Sequence, residues 1–220
     1  MSSVESVAEH FDAVAPAYNH QALKTGWAGN VWLDGYLAAE RIQPDRVLDL
    51  GSGTGETIET ILRYTSPSRV DAVDISEGMA TGLRGRYRGD RRVVVARMAI
   101  DAFLARDGDP YDLITAMAVW PFSADQATLT QAAADRLAPG GSLIFTYSPL
   151  LPDPVQRSRC ALYGGFDQTG VINVYRCLPD DVTGWLAACG LKERVHEISS
   201  SVLRLDKRIK AGFVVAQKSH

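Results

Sequence analysis

Three glycines alternate with small polar residues in the stretch "VLDLGSGTG". Gly51, Gly53 and Gly55 directly follow a short apolar run, so they predict a tight turn from a strand into a helix, with a backbone that a ligand can approach closely. The dinucleotide pattern GxGxxG is incomplete, because Glu56 and Ile58 stand where a further glycine is needed. The Lys-Ser/Thr pair of a phosphate-binding P-loop is also absent. The loop therefore fits a phosphate ligand poorly.

Two acidic residues near this loop indicate a different ligand. Asp49 lies at the end of the predicted first strand, where its carboxylate would repel a pyrophosphate and attract a cation such as an α-ammonium group. Asp74 ends the second strand, in "VDAVDIS", where an acidic residue accepts hydrogen bonds from ribose hydroxyls. Together these features describe S-adenosylmethionine, an adenosine that carries an amino acid and has no phosphate.

Each carboxylate also has a simpler interpretation, which the sequence leaves open. Asp49 fits a residue that caps the turn, with the glycines present only to allow that turn. Asp74 fits the N-cap of the next helix, a position that Ser76 fills equally well.

Composition limits the classes of protein that the chain can belong to. Its 220 residues are 46% hydrophobic and 22% charged, with a net charge of −3, which predicts one soluble α/β domain without general affinity for nucleic acid or anionic membranes. No apolar run approaches the roughly 18 residues that span a bilayer, and the N-terminus lacks the pattern of a secretory signal. The cysteines form no paired motif, so we expect a cytoplasmic protein without a metal site.

Short β-rich runs alternate with segments of helical spacing, which predicts βαβ units with right-handed crossovers. The expected parallel strands, several of them apolar throughout, are 46–50, 69–75, 91–97, 111–117 and 141–148. Helices are expected at 55–64, 124–138 and 178–190, and two closing strands at 191–199 and 211–218. Before this core, one helix runs to about Val14, where Pro16 ends it, and another lies near 29–41. The segment 149–178 carries no clear secondary-structure signal.

In this order, the motifs "VLDLGSGTG", "VDAVDIS", "YDLITAM" and "LAPGGSLIFTY" resemble those of the class I S-adenosylmethionine-dependent methyltransferases, over about residues 45–148. The opening "HFDAVAPAYNH" is similar to the F-D-x-x-A-x-x-Y start of many small-molecule methyltransferases. The resemblance implies a Rossmann-like, doubly wound, seven-stranded sheet that is mostly parallel, with the last strand antiparallel. It also implies a helical lid at 1–41, a core at 42–220 and an acceptor-side insert at 149–178.

The resemblance assigns cofactor contacts residue by residue. Asp49 and the glycine loop surround the methionine part, Asp74 binds the ribose, and Ile75 and Met79 flank the adenine. Met98 or Ala99 stands where the family usually has an acidic residue near the adenine amino group. The full set of predicted cofactor contacts is Tyr18, Asp49, Gly51, Ser52, Gly53, Gly55, Asp74, Ile75, Met79, Met98, Ala99 and Ala116.

Residues for catalysis and acceptor binding are harder to assign. His20 and Tyr18 are the catalytic candidates, because the family folds this segment over the cofactor; an exposed loop histidine is the alternative for His20. His196 is expected on a late strand, away from the site. Trp120 lies in "AVWPF", where related enzymes that act on planar amino groups carry an Asn/Asp-Pro-Pro-aromatic motif, so we expect an apolar wall or a packed loop there. The predicted acceptor contacts are Trp27, Trp120, Tyr147, Tyr163 and Phe166.

The resemblance therefore implies methyl transfer from S-adenosylmethionine to a small, partly apolar metabolite, on oxygen, carbon or nitrogen, with S-adenosylhomocysteine as the product. A protein or RNA methyltransferase is one alternative, and a fold that binds the cofactor without methylating is another. The basic run "RGRYRGDRR" is interpreted as a solvated face, so neither nucleic acid nor membrane is an expected partner. The sequence leaves the oligomeric state open, with a homodimer among the options.

Overall fold

The computed structural model describes residues 4–19, 30–163, 172–199 and 210–219, and a seven-stranded β-sheet forms its centre. A separate two-stranded sheet lies in the segment between the fifth strand and the last helix. In chain order the strands are β1 (Arg46–Leu50), β2 (Arg69–Asp74), β3 (Val93–Arg97), β4 (Tyr111–Ala116), β5 (Leu137–Tyr147), β6 (Cys160–Tyr163), β7 (Ile172–Tyr175), β8 (Leu191–Ser199) and β9 (Ala211–Lys218).

The order of strands in the large sheet is β3-β2-β1-β4-β5-β9-β8. The pairings among β1 to β5 are parallel, whereas β9 lies antiparallel between β5 and β8. The order reverses at β1, so a crevice forms at the carboxyl ends of β1 and β4, where open α/β sheets bind their ligands. This topology confirms the predicted doubly wound sheet with an antiparallel last strand.

Two of the helices begin at a polar side chain that caps them. The α-helices of the described residues are α1 (Val4–Val14), α2 (Asn30–Glu40), α3 (Glu56–Tyr64), α4 (Glu77–Arg86), α5 (Ile100–Leu104), α6 (Gln126–Asp135) and α7 (Pro179–Ala188). Ser76 caps α4 by accepting a hydrogen bond from the Met79 amide at 3.1 Å. Asp125 caps α6 in the same way, from the Thr128 amide at 3.0 Å.

Apolar side chains cover both faces of the sheet. Leu37 of α2, Ile58 of α3 and Leu83 of α4 pack with the apolar side chains of one face, and Leu129 of α6 and Leu186 of α7 pack with those of the other. All five of these side chains are buried. The sheet is therefore the middle layer of a three-layer core, which leaves its carboxyl edge as the open surface.

The two N-terminal helices have different positions. Leu33 and Leu37 of α2 are fully buried against the sheet, and the Trp32 ring stacks on Phe213 of β9 with the ring centroids 5.4 Å apart. In contrast, α1 contacts α4 and β7 at the carboxyl edge of the sheet. Within the predicted lid at 1–41, α2 thus belongs to the packed core, and a lid function for α1 stays a prediction.

The insert at 149–178 contains β6 and β7, which pair antiparallel and which the sequence did not predict. Gln156, which is fully buried, fixes the insert to the segment before β9. Its amide nitrogen donates to the carbonyls of Pro149 at 3.1 Å and Lys210 at 2.9 Å, and its amide oxygen accepts from the Lys210 amide. This contact joins two segments that are far apart in the sequence.

Strand β5 begins at Leu137, four residues before the predicted start, because Leu137 pairs with Tyr111 ahead of a register shift. The helix expected at 124–138 is therefore shorter, Gln126–Asp135, and residues 138–141 belong to the strand. Within the described ranges, no helix combines the length and the apolar character that a membrane crossing requires.

Candidate active site

A cavity of about 980 Å³ lies at the carboxyl edge of the sheet. Its volume is near the upper end of the range for small-molecule sites. The glycine loop and the end of β2 form one side, and the loop after β4, the end of β5 and the β6–β7 hairpin form the other. Val7 and Phe11 of α1 also line it, so the N-terminal helix contributes part of the wall.

Asp74 ties the glycine loop to the start of α4. One carboxylate oxygen accepts a hydrogen bond from the Gly53 amide at 2.8 Å, and the other accepts from the Ser76 amide at 2.9 Å. Burial raises the pKa of Asp74, although these amide donors oppose the shift. A carboxylate oxygen accepts about two hydrogen bonds, so Asp74, which lines the cavity, retains acceptor capacity for a ligand.

Asp49 lies beneath the glycine loop and is 1% exposed. Its Oδ1 accepts a hydrogen bond from the Thr115 hydroxyl at 2.7 Å, whereas its Oδ2 is buried without a hydrogen-bond partner among the described residues. Burial raises the pKa of Asp49 to about 7, and the Thr115 hydroxyl opposes that rise. An unpaired buried carboxylate oxygen is costly, so this position favours a cationic donor.

The three glycines of the loop have positive φ angles of 66°, 52° and 89°, and they serve different purposes. A Cβ on Gly51 would lie 2.3 Å from a methyl group of Val119, and one on Gly55 would lie 2.7 Å from Leu83. At Gly53 the nearest atom would be 4.0 Å away, and the residue lines the cavity. Gly55 therefore permits close packing against α4, whereas Gly53 leaves cavity space free.

The loop after β4 is held in an unusual backbone conformation. Ala118 has a φ of 61°, which a non-glycine residue adopts at a cost of about 1–3 kcal/mol. Its amide donates a hydrogen bond to the Thr146 hydroxyl of β5 at 2.7 Å. The conformation places Ala118 and Val119 in the cavity wall, opposite the glycine loop.

Helix α1 is docked at the cavity through its F-D-x-x-A-x-x-Y motif. The Phe11 ring packs edge-to-face on Phe122 with centroids 5.4 Å apart. Asp12 accepts hydrogen bonds from the Ser76 hydroxyl at 2.5 Å and the Gly78 amide at 2.9 Å. Burial alone would raise the pKa of Asp12, but these donors hold it below its usual value. Tyr18 lines the cavity.

The structure brings many of the predicted site residues together. The predicted residues that line the cavity are Tyr18, Gly51, Gly53, Asp74, Ile75, Met79, Ala99 and Tyr147. Asp49, Ser52 and Ala116 are buried and are not part of the lining, and the Ser52 hydroxyl donates to the Asp49 carbonyl at 2.8 Å. The Met98 side chain packs against the core, next to Ala99.

Trp120 is placed in the core instead of along the cavity. Its side chain is 0% exposed, its indole nitrogen donates to the Thr130 hydroxyl at 3.2 Å, and its ring stacks on Phe145. The packed-loop alternative therefore describes this residue. His20, Trp27 and Phe166 lie outside the described residues, as does the side chain of Tyr163, whose backbone ends β6.

Tyr147 is linked to a histidine that the sequence placed away from the site. His196 lies on β8 as predicted, yet its Nε2 is 2.7 Å from the Tyr147 hydroxyl, and its Nδ1 is 3.0 Å from a carboxylate oxygen of Glu193. Burial raises the pKa of Tyr147, so the phenol stays neutral. The arrangement orients the ring of Tyr147 in the cavity wall.

Sequence reasoning assigned no role to Arg176 and Lys210, which line the cavity, whereas Phe122 lies in the "AVWPF" stretch where an apolar wall was expected. Phe11 was part of a recognised motif, so its position had a signal. Arg176 and Lys210 had no signal in the sequence. They reach the cavity wall from the hairpin and from the segment before β9, and the placement of both depends on long-range contacts. Among the described residues, no group of acidic, histidine or cysteine side chains forms a metal site.

Comparisons with known proteins agree with this geometry. Residues 48–143 match the family model described as a methyltransferase domain. The chain is 30% identical over 144 residues to the malonyl-[acyl-carrier protein] O-methyltransferase of Halorhodospira halophila, and the aligned region covers 65% of this chain and 48% of the relative. It is 37% identical over 102 residues to the ribosomal RNA small subunit methyltransferase A of Parasynechococcus marenigrum, which covers 43% of this chain and 29% of the relative.

The chain thus spans less than half the length of these relatives. Among solved structures, it is similar to a Haloferax volcanii complex of the Trm112 methyltransferase activator with a methyltransferase, at a TM-score of 0.74 and 18% identity, over 97% of this chain and 98% of that one. At this identity the likeness establishes the fold.

Residues 48–143 thus match a methyltransferase domain, and the relatives and the fold support the predicted class I S-adenosylmethionine-dependent methyltransferase family, enzyme class and cofactor. The residues present fit this cofactor. The unpaired Oδ2 of Asp49 suits the α-ammonium group, and the remaining acceptor capacity of Asp74 suits the ribose hydroxyls. Individual contacts of these residues with the cofactor stay predictions.

Replacement of Gly53 and Gly55 by valine separates cofactor binding from packing. Both variants strain a positive φ by about 1–3 kcal/mol. Gly53→Val should abolish binding of S-adenosylhomocysteine in calorimetry, because its side chain enters the cavity. Gly55→Val should lower the melting temperature more than Gly53→Val does, because a Cβ at position 55 overlaps Leu83. Tight binding by folded Gly53→Val would contradict the assignment of the loop.

Cofactor binding should depend on pH near neutrality. The ionised form of Asp49 attracts the α-ammonium group, and its pKa of about 7 leaves much of it protonated in the free protein below that pH. Affinity for S-adenosylhomocysteine, measured by calorimetry, should therefore rise as pH increases from about 6 to 8. Asp49→Asn should remove this rise. An equal rise in the variant would assign the pH dependence to another group, such as Asp74.

Release of α1 should weaken cofactor binding while the core remains folded. Asp12→Ala removes two hydrogen bonds that hold α1 to α4, so affinity for S-adenosylhomocysteine should fall about tenfold and proteolysis before residue 28 should accelerate. Asp34→Ala is the matched control, since Asp34 pairs with Arg63 and Tyr64 on the face of the sheet. Equal loss of affinity in both variants would argue against a lid.

Proposed function

We propose that this chain transfers the methyl group of S-adenosylmethionine to a small, partly apolar metabolite. The observation that carries the proposal is the shape of the cavity. It extends from the glycine loop and Asp74, across Ala118 and Val119, to the β6–β7 hairpin. This space holds the cofactor at one end and leaves room for a compact acceptor at the other.

The cofactor supplies an already activated methyl group on a positively charged sulfur, so the chain's own task is mainly to position the acceptor. The strained loop at Ala118 holds the wall between the two ends of the cavity. Phe11 and Phe122 pack together along that wall, which excludes water from the space beside it. Tyr18, which also lines the cavity, is our candidate for a hydrogen bond to cofactor or acceptor.

Protein or RNA methylation is supported less well. One relative is a ribosomal RNA methyltransferase by name, but three of the five arginines in the basic run at 84–92 are paired with carboxylates. Arg84 pairs with Glu77, Arg86 with Glu56 and Glu59, and Arg92 with Asp90. These ion pairs neutralise much of its charge locally, as expected for a solvated face.

A cytoplasmic location and the absence of nucleic acid and membrane partners are part of the same proposal. Cys160, Cys177 and Cys189 are free thiols, which supports a reducing compartment. Analytical ultracentrifugation would distinguish a monomer from a homodimer.

A tritiated-methyl assay tests the proposed function. The protein is incubated with labelled S-adenosylmethionine and a metabolite extract, and label should enter the small-molecule fraction. Asp74→Ala should weaken cofactor binding by about tenfold to a few hundredfold and reduce transfer, whereas Asp90→Ala, an aspartate bonded to Arg92 outside the cavity lining, should not.

The other outcomes distinguish the alternatives. Label that enters only protein or RNA would favour a macromolecular acceptor. Tight binding of S-adenosylhomocysteine without transfer to any fraction would favour a fold that uses the cofactor for another purpose.

A further inference from the structure

Two basic side chains line the part of the cavity that is remote from the glycine loop. They are Arg176, directly after β7, and Lys210, directly before β9. In the sheet, β4 and β5 separate β9 from β1, a distance of about 14 Å at roughly 4.8 Å per strand. Cys177, the residue after Arg176, bridges to Pro149 just beyond the end of β5, so both basic groups lie toward the acceptor end.

Arg176 lacks a carboxylate partner in the part of the chain that the structure describes. Its Nη1 donates to the Ser158 carbonyl at 3.1 Å, while its Nε is buried and makes no hydrogen bond there. Arg159, directly before β6, is instead paired with Asp181 at 3.4 Å. A buried guanidinium nitrogen without a partner is unfavourable, so Arg176 is prepared for an anion.

Lys210 is held in place by a buried side chain. Gln156 is 0% exposed and bonds both the amide and the carbonyl of Lys210. The backbone from which the lysine extends is therefore fixed at the rim of the cavity. This is a built feature of the insert, since the same glutamine also bonds the Pro149 carbonyl.

Besides Asp74, the acidic side chains that line the cavity are Asp101 and Asp125, and among the described residues neither forms an ion pair with Arg176 or Lys210. The two oxygens of Asp125 accept hydrogen bonds from the amide and the hydroxyl of Thr128. Between the basic pair and the glycine loop, the lining is mainly apolar and includes Met117, Phe122 and Leu129. The acceptor end thus combines an apolar wall with a positive terminus.

We propose that the acceptor carries an anionic group, a carboxylate or a phosphate, which Arg176 and Lys210 bind while its apolar body lies along the cavity wall. This inference rests on the proposed function and specifies its substrate class. Guanidinium groups bind both kinds of anion through paired hydrogen bonds. Because β4 and β9 are two strands apart, the anion should lie about 10 Å from the β4 end, where the methyl group is transferred.

Calorimetry on the protein saturated with S-adenosylhomocysteine tests the proposal. The probes are linear dicarboxylic acids from succinate to sebacate, their diamides, and octyl phosphate. Acids or the phosphate should bind, with the longer acids tighter than succinate, and the diamides should not. Arg176→Gln and Lys210→Gln should each weaken binding of the anion about tenfold to a hundredfold. Arg159→Gln, which removes the same charge beside the same hairpin, should leave it unchanged.

The results separate this inference from the proposed function. Equal binding of acids and diamides, or equal affinities in Arg176→Gln, Lys210→Gln and wild type, would overturn the anion site. Failure of every probe to bind wild-type protein that does bind S-adenosylhomocysteine would also overturn it, and would leave methyl transfer standing. If the wild-type protein does not bind S-adenosylhomocysteine, the proposed function is rejected instead. Melting temperatures show whether each variant is folded, and the exposed Lys210 provides a variant with little risk to the fold.

Discussion

The hydrogen bonds between the buried Asp74 carboxylate and the amides of Gly53 and Ser76 hold the candidate site together. Bonds to a charged group contribute about 1.5–3 kcal/mol each, and these two join the loop after β1 to the start of α4. The Ser76 hydroxyl then bonds Asp12, so α1 depends on the same group. A single carboxylate therefore sets the position of the loop, a helix start and the N-terminal helix.

Charge is distributed unevenly along the cavity. Asp49 and Asp74 lie at the end proposed for the cofactor, which carries positive charge on sulfur and nitrogen, and Arg176 and Lys210 lie at the other. Such separation orients two ligands of opposite charge before they make close contacts, because each is repelled from the wrong end. The apolar surface between the two ends lowers the local dielectric constant and strengthens this effect.

The sequence predicted the sheet well because its strands are local patterns. The last two strands, Leu191–Ser199 and Ala211–Lys218, match the expectation at both ends. The glycine loop and Asp74 were predicted as site residues from residue type and position, and Gly51, Gly53 and Asp74 line the cavity. The β6–β7 hairpin was not predicted, since its placement depends on the buried Gln156 and its contact with Lys210. The burial of Trp120 could not be predicted either, because tertiary packing brings its hydrogen-bond partner Thr130 close to it.

The F-D-x-x-A-x-x-Y motif acts mainly through docking. Phe11 packs on Phe122, and Asp12 bonds the first turn of α4. A Cβ added to Gly78 would lie 2.8 Å from the Cβ of Ala15. A larger residue at either position would therefore push the segment after α1 away from α4. Of the four motif residues, Phe11 and Tyr18 line the cavity. The motif therefore specifies how α1 docks at the cavity, whereas under the proposed function the hairpin and the segment before β9 select the acceptor.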